Sequence, residues 1–252
     1  MIIDSHVHIG CWDHEWYRFL DYTDPGTIFQ WIDHAAVFIP TDRKENDLLL
    51  SAIKARVSPG HWFFIPWIDP MFPVRNRNAE YKMFDWVMKQ RNDIHGLKIH
   101  ASLDKIMGGI SNFLYQPIIE IALSFQLPIL VHCGRWQETA GYQLALDTAM
   151  AYPDIKFILA HLGGDREDLK ILAPRKAKEM GLTNVWFDIS ATREWWTIGM
   201  AIDQMGIDRI IFGSDFPVMH PTMSIASVKA LKLNPAEEER IFSKNILEAL
   251  GQ

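Results

Sequence analysis

The sequence predicts an α/β fold, a TIM (β/α)8 barrel formed as a single domain over residues 1–252. Three observations carry this expectation. Segments that read as strand and as helix alternate along the whole chain in eight units of about 30 residues, the size at which such barrels are usually built. The strand segments are nearly continuous apolar runs rather than half-polar alternations, the pattern of parallel strands covered on both faces. A doubly wound open sheet would usually carry a glycine-rich phosphate turn after its first strand, and that place holds His6-Val7-His8.

The first strand is the run Ile2-Ile3-Asp4-Ser5-His6-Val7-His8-Ile9-Gly10. Alternation puts His6 and His8 on one face at its carboxyl end, either as a hydrogen-bonded imidazole pair or as part of a metal site. Residues 11–23 read as a polar and aromatic loop. Asp24-Pro25 opens a short helix to about Asp33, with proline near the first helical position, where its missing N–H costs nothing. Residues 35–39 form the second strand, closed by Pro40-Thr41. Residues 44–57 form a helix, with Leu48, Leu49, Ala52 and Ile53 at helical spacing and a stop at Ser58-Pro59-Gly60.

The alternation then repeats. Strands are expected at residues 62–68, 96–101, 128–133, 156–161, 185–190 and 209–215. Helices are expected at 79–91, 116–125, 138–151, 166–180 and 194–205, the fourth interrupted or restarted around Pro174. Two further helices, near 223–231 and 235–250, end the chain. No linker, low-complexity stretch or internal repeat divides it.

Composition excludes several classes. The hydrophobic share is 48% and the charged share 22%, as in a water-borne globular protein. No run of about 18 apolar residues could cross a membrane, and no secretory signal opens the chain. The two cysteines, Cys11 and Cys133, are too few for a disulfide framework and form no Cys-x-x-Cys pair, so a reducing cytoplasm is expected. A net charge of -6 with no lysine or arginine tract argues against nucleic acid as a partner.

Placing the unusual polar residues on this scheme gives a pattern. His6 and His8 close the first strand, Lys98 and His100 the fourth, His132 the fifth, His161 the sixth and Asp215 the eighth. All lie at carboxyl ends, the rim where barrel active sites are built. By alternation, Leu130 shares a face with His132, Leu159 with His161 and Gly213 with Asp215. Each residue alone is explained by a hydrogen bond to backbone. Together, histidines and an aspartate converging on one rim suit a divalent transition metal, and an open site without cysteine points to catalysis rather than structure.

The motifs His6-Val7-His8, Val131-His132-Cys133-Gly134, Leu159-Ala160-His161-Leu162-Gly163-Gly164 and Phe212-Gly213-Ser214-Asp215-Phe216-Pro217 together resemble the amidohydrolase superfamily. The nearest branch is the amidohydrolase-2 group, with its aminocarboxymuconate-semialdehyde decarboxylase-like enzymes and lactone hydrolases. Ser243-Lys244-Asn245-Ile246-Leu247 also resembles the helix that usually closes these barrels.

That resemblance implies His6, His8, His132 and Asp215 as ligands of a divalent metal, Zn2+ foremost. His161 would be either a second-metal ligand or a catalytic histidine beside a single metal. Lys98 stands where some members carry a carbamylated lysine bridging two metals, but Gly96-Leu97-Lys98-Ile99-His100 resembles the pattern in which it often does not bridge. One ion is therefore favoured over two. Lys98, His161 and His100 remain candidates for a second metal or for the substrate, and an ammonium paired with a rim carboxylate is the alternative for Lys98.

The implied chemistry is metal-assisted hydrolysis of an ester, lactone or amide, with Asp215 moving the proton and His161 polarising the carbonyl. Nonhydrolytic decarboxylation with the same residues is the alternative, and an inert metal-binding barrel the third. Arg75, Arg77, Arg135 and Arg193 follow strands on the active-site side, either as clamps for a substrate carboxylate or as ordinary solvated arginines. Trp12, Trp16, Tyr17, Trp136, Trp195, Trp196 and Phe216 lie on the same side, as walls for a flat small molecule, as loop packing or as a homo-oligomer interface.

Overall fold

The computed structural model describes residues 1–11, 22–71 and 79–252. Trp12, Trp16, Tyr17, Arg75 and Arg77 lie outside the described residues. Among the described residues, eight strands follow in order: β1 (Ile3–Ile9), β2 (Ala35–Pro40), β3 (Trp62–Phe64), β4 (Leu97–Ile99), β5 (Ile129–Val131), β6 (Phe157–Leu159), β7 (Val185–Asp188) and β8 (Ile210–Ile211). They pair in sequence order as two parallel arcs, β1-β2-β3 and β4 through β8.

The arcs meet at two seams. One is the bridge between Trp67 and Lys98, with Lys98 N donating to Pro66 O at 2.8 Å. The other is the bridge between Val7 and Phe216, where Ser5 N reaches Phe212 O at 3.1 Å and His8 N reaches Phe216 O at 2.8 Å. Eight parallel strands in sequence order, with helices between them, are the TIM barrel that the alternation predicts.

Side-chain alternation splits the apolar residues into two layers. Ile3, Val37, Ile39, Ile65, Leu130 and Ile158 belong to one buried cluster, which they share with Ile246, Ala249 and Leu250 of the Asn245–Leu250 helix. Val7, Ile9, Phe38, Leu97, Leu159 and Phe187 belong to the second and larger cluster, with the buried faces of the surrounding helices. β1 changes layer partway. Its register against β2 shifts between Asp4 and Val7, so Ile3 lies in the first cluster whereas Val7 and Ile9 lie in the second. A bulge of this kind re-aims side chains, and here it turns His6 and His8 towards the barrel interior.

Several elements differ from expectation. The helix expected at 138–151 is two, Gln137–Ala140 and Tyr142–Ala151, because Gly141 between them is extended (φ -70°, ψ 134°). Pro174 does not interrupt its helix, which runs from Glu167 to Glu179 with Leu169, Ala173, Pro174 and Ala177 buried; their packing outweighs the one lost N–H. The final helix is broken into Pro235–Glu239, a π turn at Arg240–Lys244 and Asn245–Leu250. The helix expected at Asp24 is a single 3-10 turn, Thr27–Gln30.

Candidate metal centre and active site

β1 and the segment after β8 bring His6, His8 and Asp215 together, with one ligand atom of each within 4.8 Å of the others. His6 Nε2 lies 3.5 Å from Asp215 Oδ1, and His8 Nε2 lies 3.1 Å from the same oxygen. The other nitrogen of His6, Nδ1, is 2.9 Å from Asp188 Oδ2 at the end of β7. A carboxylate that accepts here fixes the proton on Nδ1 and leaves the Nε2 lone pair facing Asp215. His6 Nε2 is buried and has no hydrogen-bond partner among the described residues. Two buried acceptors facing each other need a cation between them, so the residues fit a divalent ion held by His6, His8 and Asp215.

Local charges keep this donor set ready. Burial would raise the Asp188 carboxyl, but the imidazoles of His6 and His161 and the Ser190 hydroxyl hold it at about 2. Burial acts the same way on Asp215, and the approach of His8 together with the His161 and His6 imidazoles holds it well below the usual carboxylate range. Burial and the Lys98 charge push His6 down to about 4, despite Asp188 and Asp215. His100 and His132 are lowered too, by burial and by neighbouring cationic groups. At neutral pH the carboxylates are ionised and these three imidazoles neutral, as metal ligation requires.

Asp188 also governs a second histidine. Its Oδ1 accepts from the backbone amides of His161 and Ser190, both at 3.0 Å, and from the Ser190 hydroxyl. His161 Nδ1 is 3.1 Å from the Ser190 carbonyl oxygen, which can only accept, so Nδ1 carries a proton. The opposite nitrogen, Nε2, is 3.2 Å from His132 Nδ1. His132 thus stands outside the three-residue cluster: it contacts His161, and its ring stacks on His100 with centroids 3.7 Å apart.

The expectation that Leu159 and His161 share a face does not hold. Leu159 belongs to the helix-facing cluster, and the chain leaves β6 through two left-handed residues, His161 (φ 59°) and Leu162 (φ 54°). It is this turn that carries the imidazole to the site. Asp215 is also left-handed (φ 68°), and its N–H donates to His6 O at 2.9 Å. Beneath it, Asp4 Oδ1 accepts from Ser214 N at 2.9 Å and His6 N at 3.2 Å, pinning the two ligand segments to each other. Burial pushes the Asp4 carboxyl up to about 7.

A cavity of about 100 Å³ opens beside the cluster, lined by His8, Trp67, Lys98, His132, His161 and Asp215 among others. Lys98 is 1% exposed, its Nζ makes no hydrogen bond among the described residues, and burial pushes its amine down to about 8. The alternative of an ammonium paired with a rim carboxylate is therefore not what the structure shows. His100 also borders the cavity, against Trp67 at 5.6 Å between ring centroids.

Among the described residues, Arg135 and Arg193 do not line this cavity. Arg135 is exposed, with Nε 2.9 Å from Asp165 Oδ2, and Arg193 is exposed as well. Trp136, Trp195 and Trp196 are exposed, and Phe216 packs on Tyr22 and Trp31. Sequence reasoning passed over Trp67, Asp188 and Ser190. For Asp188 the signal was present: a carboxylate closing the apolar run Val185-Trp186-Phe187, as Asp215 does on the last strand.

Comparison with solved structures gives the same fold. An amidohydrolase from Burkholderia multivorans with bound zinc is 16% identical, with TM-score 0.74 and coverage of 100% of this chain and 99% of that one. A 5-carboxyvanillate decarboxylase from Sphingomonas paucimobilis is 12% identical, with TM-score 0.72 and coverage of 99% and 98%. A dihydroxybenzoic acid decarboxylase from Polaromonas sp. JS666, with bound manganese and the inhibitor 2-nitroresorcinol, is 15% identical, with TM-score 0.72 and coverage of 99% and 96%. Comparison with curated protein sequences returns no match. The sequence itself matches the amidohydrolase family over residues 3–252. The chain belongs to that family, in its amidohydrolase-2 group, and is an enzyme of the amidohydrolase superfamily.

Proposed function

We propose that residues 1–252 act as one catalytic domain, a metal-dependent hydrolase that splits an ester, lactone or amide bond of a small substrate. The observation that carries this is His6 Nε2 facing Asp215 Oδ1 at 3.5 Å while Asp188 holds the proton on Nδ1. One ion is favoured, because His6, His8 and Asp215 are the one group with ligand spacing among the described residues. Zinc is the first candidate, since imidazole and carboxylate are favoured zinc ligands and no cysteine takes part. We place the protein in the cytoplasm: two cysteines are too few for a disulfide framework, and no helix among the described residues is long and apolar enough to cross a membrane.

When bound, such an ion supplies Lewis acidity towards a carbonyl oxygen and lowers the pKa of a water to about 7. The chain's own residues then manage protons. Asp215, held ionised, accepts a proton from the attacking water and returns it to the leaving oxygen or nitrogen. Ser190 holds the Nδ1–H of His161, which leaves Nε2 as the atom that takes up or gives back a proton at the cavity.

Decarboxylation is the second reading, favoured by the named decarboxylases of the same fold. There the bond to the carboxylate carbon breaks, CO2 leaves, and the substrate carbon takes a proton that His161 Nε2 has first taken up from solvent. The test is the metal-loaded enzyme against a library of lactones, esters, amides and aromatic carboxylic acids, followed by mass spectrometry and CO2 detection. A lactone product heavier by one water, or an ester or amide split into an acid and an alcohol or amine, supports hydrolysis, and released CO2 transfers the assignment to decarboxylation. No turnover by fully metal-loaded protein overturns both in favour of an inert metal-binding barrel.

A further inference from the structure

Lys98 is the polar group in the cavity that the proposed chemistry leaves unused. Its Cα pairs with Leu130 in the β4–β5 ladder, and Leu130 lies in the interior cluster, so the lysine projects into the barrel rather than towards the helices. The ammonium lines the cavity, is 1% exposed and has no hydrogen-bond partner among the described residues. A buried, unpartnered ammonium is costly and calls for an anion. None of the surrounding carboxylates hydrogen-bonds it: Asp188 and Asp215 act on it only through space, Asp188 being taken by His6, His161 and Ser190 and Asp215 facing His6 and His8, while Asp4 Oδ1 accepts from two backbone amides.

Beside Lys98 the wall is flat and aromatic, formed by the stacked His100 and His132 rings and by Trp67.

We infer that Lys98 is the substrate-anion site of this cavity, holding the carboxylate of a planar monocarboxylic substrate on its Nζ while the ring or acyl face lies along His100, His132 and Trp67. This takes over the role that sequence patterning offered to Arg135 and Arg193. It rests on the enzyme reading for its reaction, but not for binding itself.

The test compares wild type with Lys98→Met, which keeps the length and removes the charge, and Lys98→Gln as a polar second variant. Binding of benzoate and propionate is measured calorimetrically in metal-free and metal-loaded protein, with benzamide and propionamide as neutral controls. Wild type should prefer the acids over the amides, and Lys98→Met should bind the acids about tenfold to a hundredfold more weakly with the amides unchanged. Because an unpaired buried charge disappears, its Tm in the absence of ligand should rise by about 2–4 °C.

Equal acid binding by wild type and variant, or no preference of wild type for acids, overturns the inference. So does a carbamate on Lys98 seen by NMR with 13C-labelled bicarbonate. Lys98-dependent acid binding in a protein that shows no turnover upholds the site and defeats the enzyme reading alone; undiminished turnover of neutral esters by Lys98→Met, with unchanged acid binding, does the reverse.

Discussion

Asp188 Oδ2 accepts from His6 Nδ1 at 2.9 Å, while its other oxygen accepts from the backbone amide of His161 at 3.0 Å. One carboxylate thus fixes the tautomer of a candidate metal ligand and the position of the histidine proposed to move protons. Neither function requires it to touch substrate.

Replacing it by asparagine tests the first of these roles. The amide nitrogen can donate to His6 Nδ1 and so turns the imidazole to the tautomer whose Nε2 carries the proton and cannot ligate. Asp188→Asn should bind Zn2+ about tenfold to a hundredfold more weakly, read by competition with a chromophoric chelator. Unchanged affinity removes Asp188 from this role.

For Asp215 the expectation is kinetic. At matched metal content, Asp215→Asn should lower kcat on a confirmed substrate by about 10²–10⁴, with a much smaller change in KM. Near wild-type turnover would show that another group moves the proton.

Asp4 predicts a pH dependence of stability. Burial raises its carboxyl from 3.8 to about 7, so the folded protein holds this proton more tightly than the unfolded chain. Stability from this group is complete below pH 3.8 and is lost as pH rises towards about 7, on the order of 4 kcal/mol in all. Asp4→Asn keeps an oxygen for the Ser214 and His6 amides and cannot ionise. Its Tm should exceed that of wild type by more at pH 8 than at pH 5; an equal gap at both values would contradict the assignment.

Gly163 supports the turn that delivers His161. It is left-handed (φ +90°), and a Cβ there would lie 2.3 Å from that of Ala173 on the Glu167–Glu179 helix. Gly163→Ala should destabilise by about 1–3 kcal/mol, measured by denaturant unfolding, and should lower kcat by displacing the imidazole. A variant with wild-type stability would mean that the helix yields freely.

The barrel was legible because its strands are apolar runs punctuated by proline, glycine and aspartate, and such runs need no tertiary information to be recognised. The Gln116–Phe125 helix was read to the residue. β3 and β8 were read too long, since beyond Phe64 and Ile211 the chain is held by single hydrogen bonds and bridges rather than by a continuous ladder. At the site, His6, His8 and Asp215 followed from strand ends. The placement of His161 by alternation failed because two left-handed residues break the period of two, and nothing in Ala160-His161-Leu162 announces them. Arg135 was indistinguishable in sequence from a clamp; its partner, Asp165, lies 30 positions further on and is met only in the folded chain.

The seam between β1 and the segment after β8 joins residues about two hundred positions apart, the most expensive loop this ring of strands has to close. The candidate ligands straddle that seam, with His6 and His8 on one side and Asp215 on the other. An ion bound there works as a clasp: it binds the closed ring and not the opened one, so mass action favours closure in proportion to its affinity. Release of the ion and parting of the ring at this edge then become a single event, and chelation should lower the temperature at which the barrel comes apart.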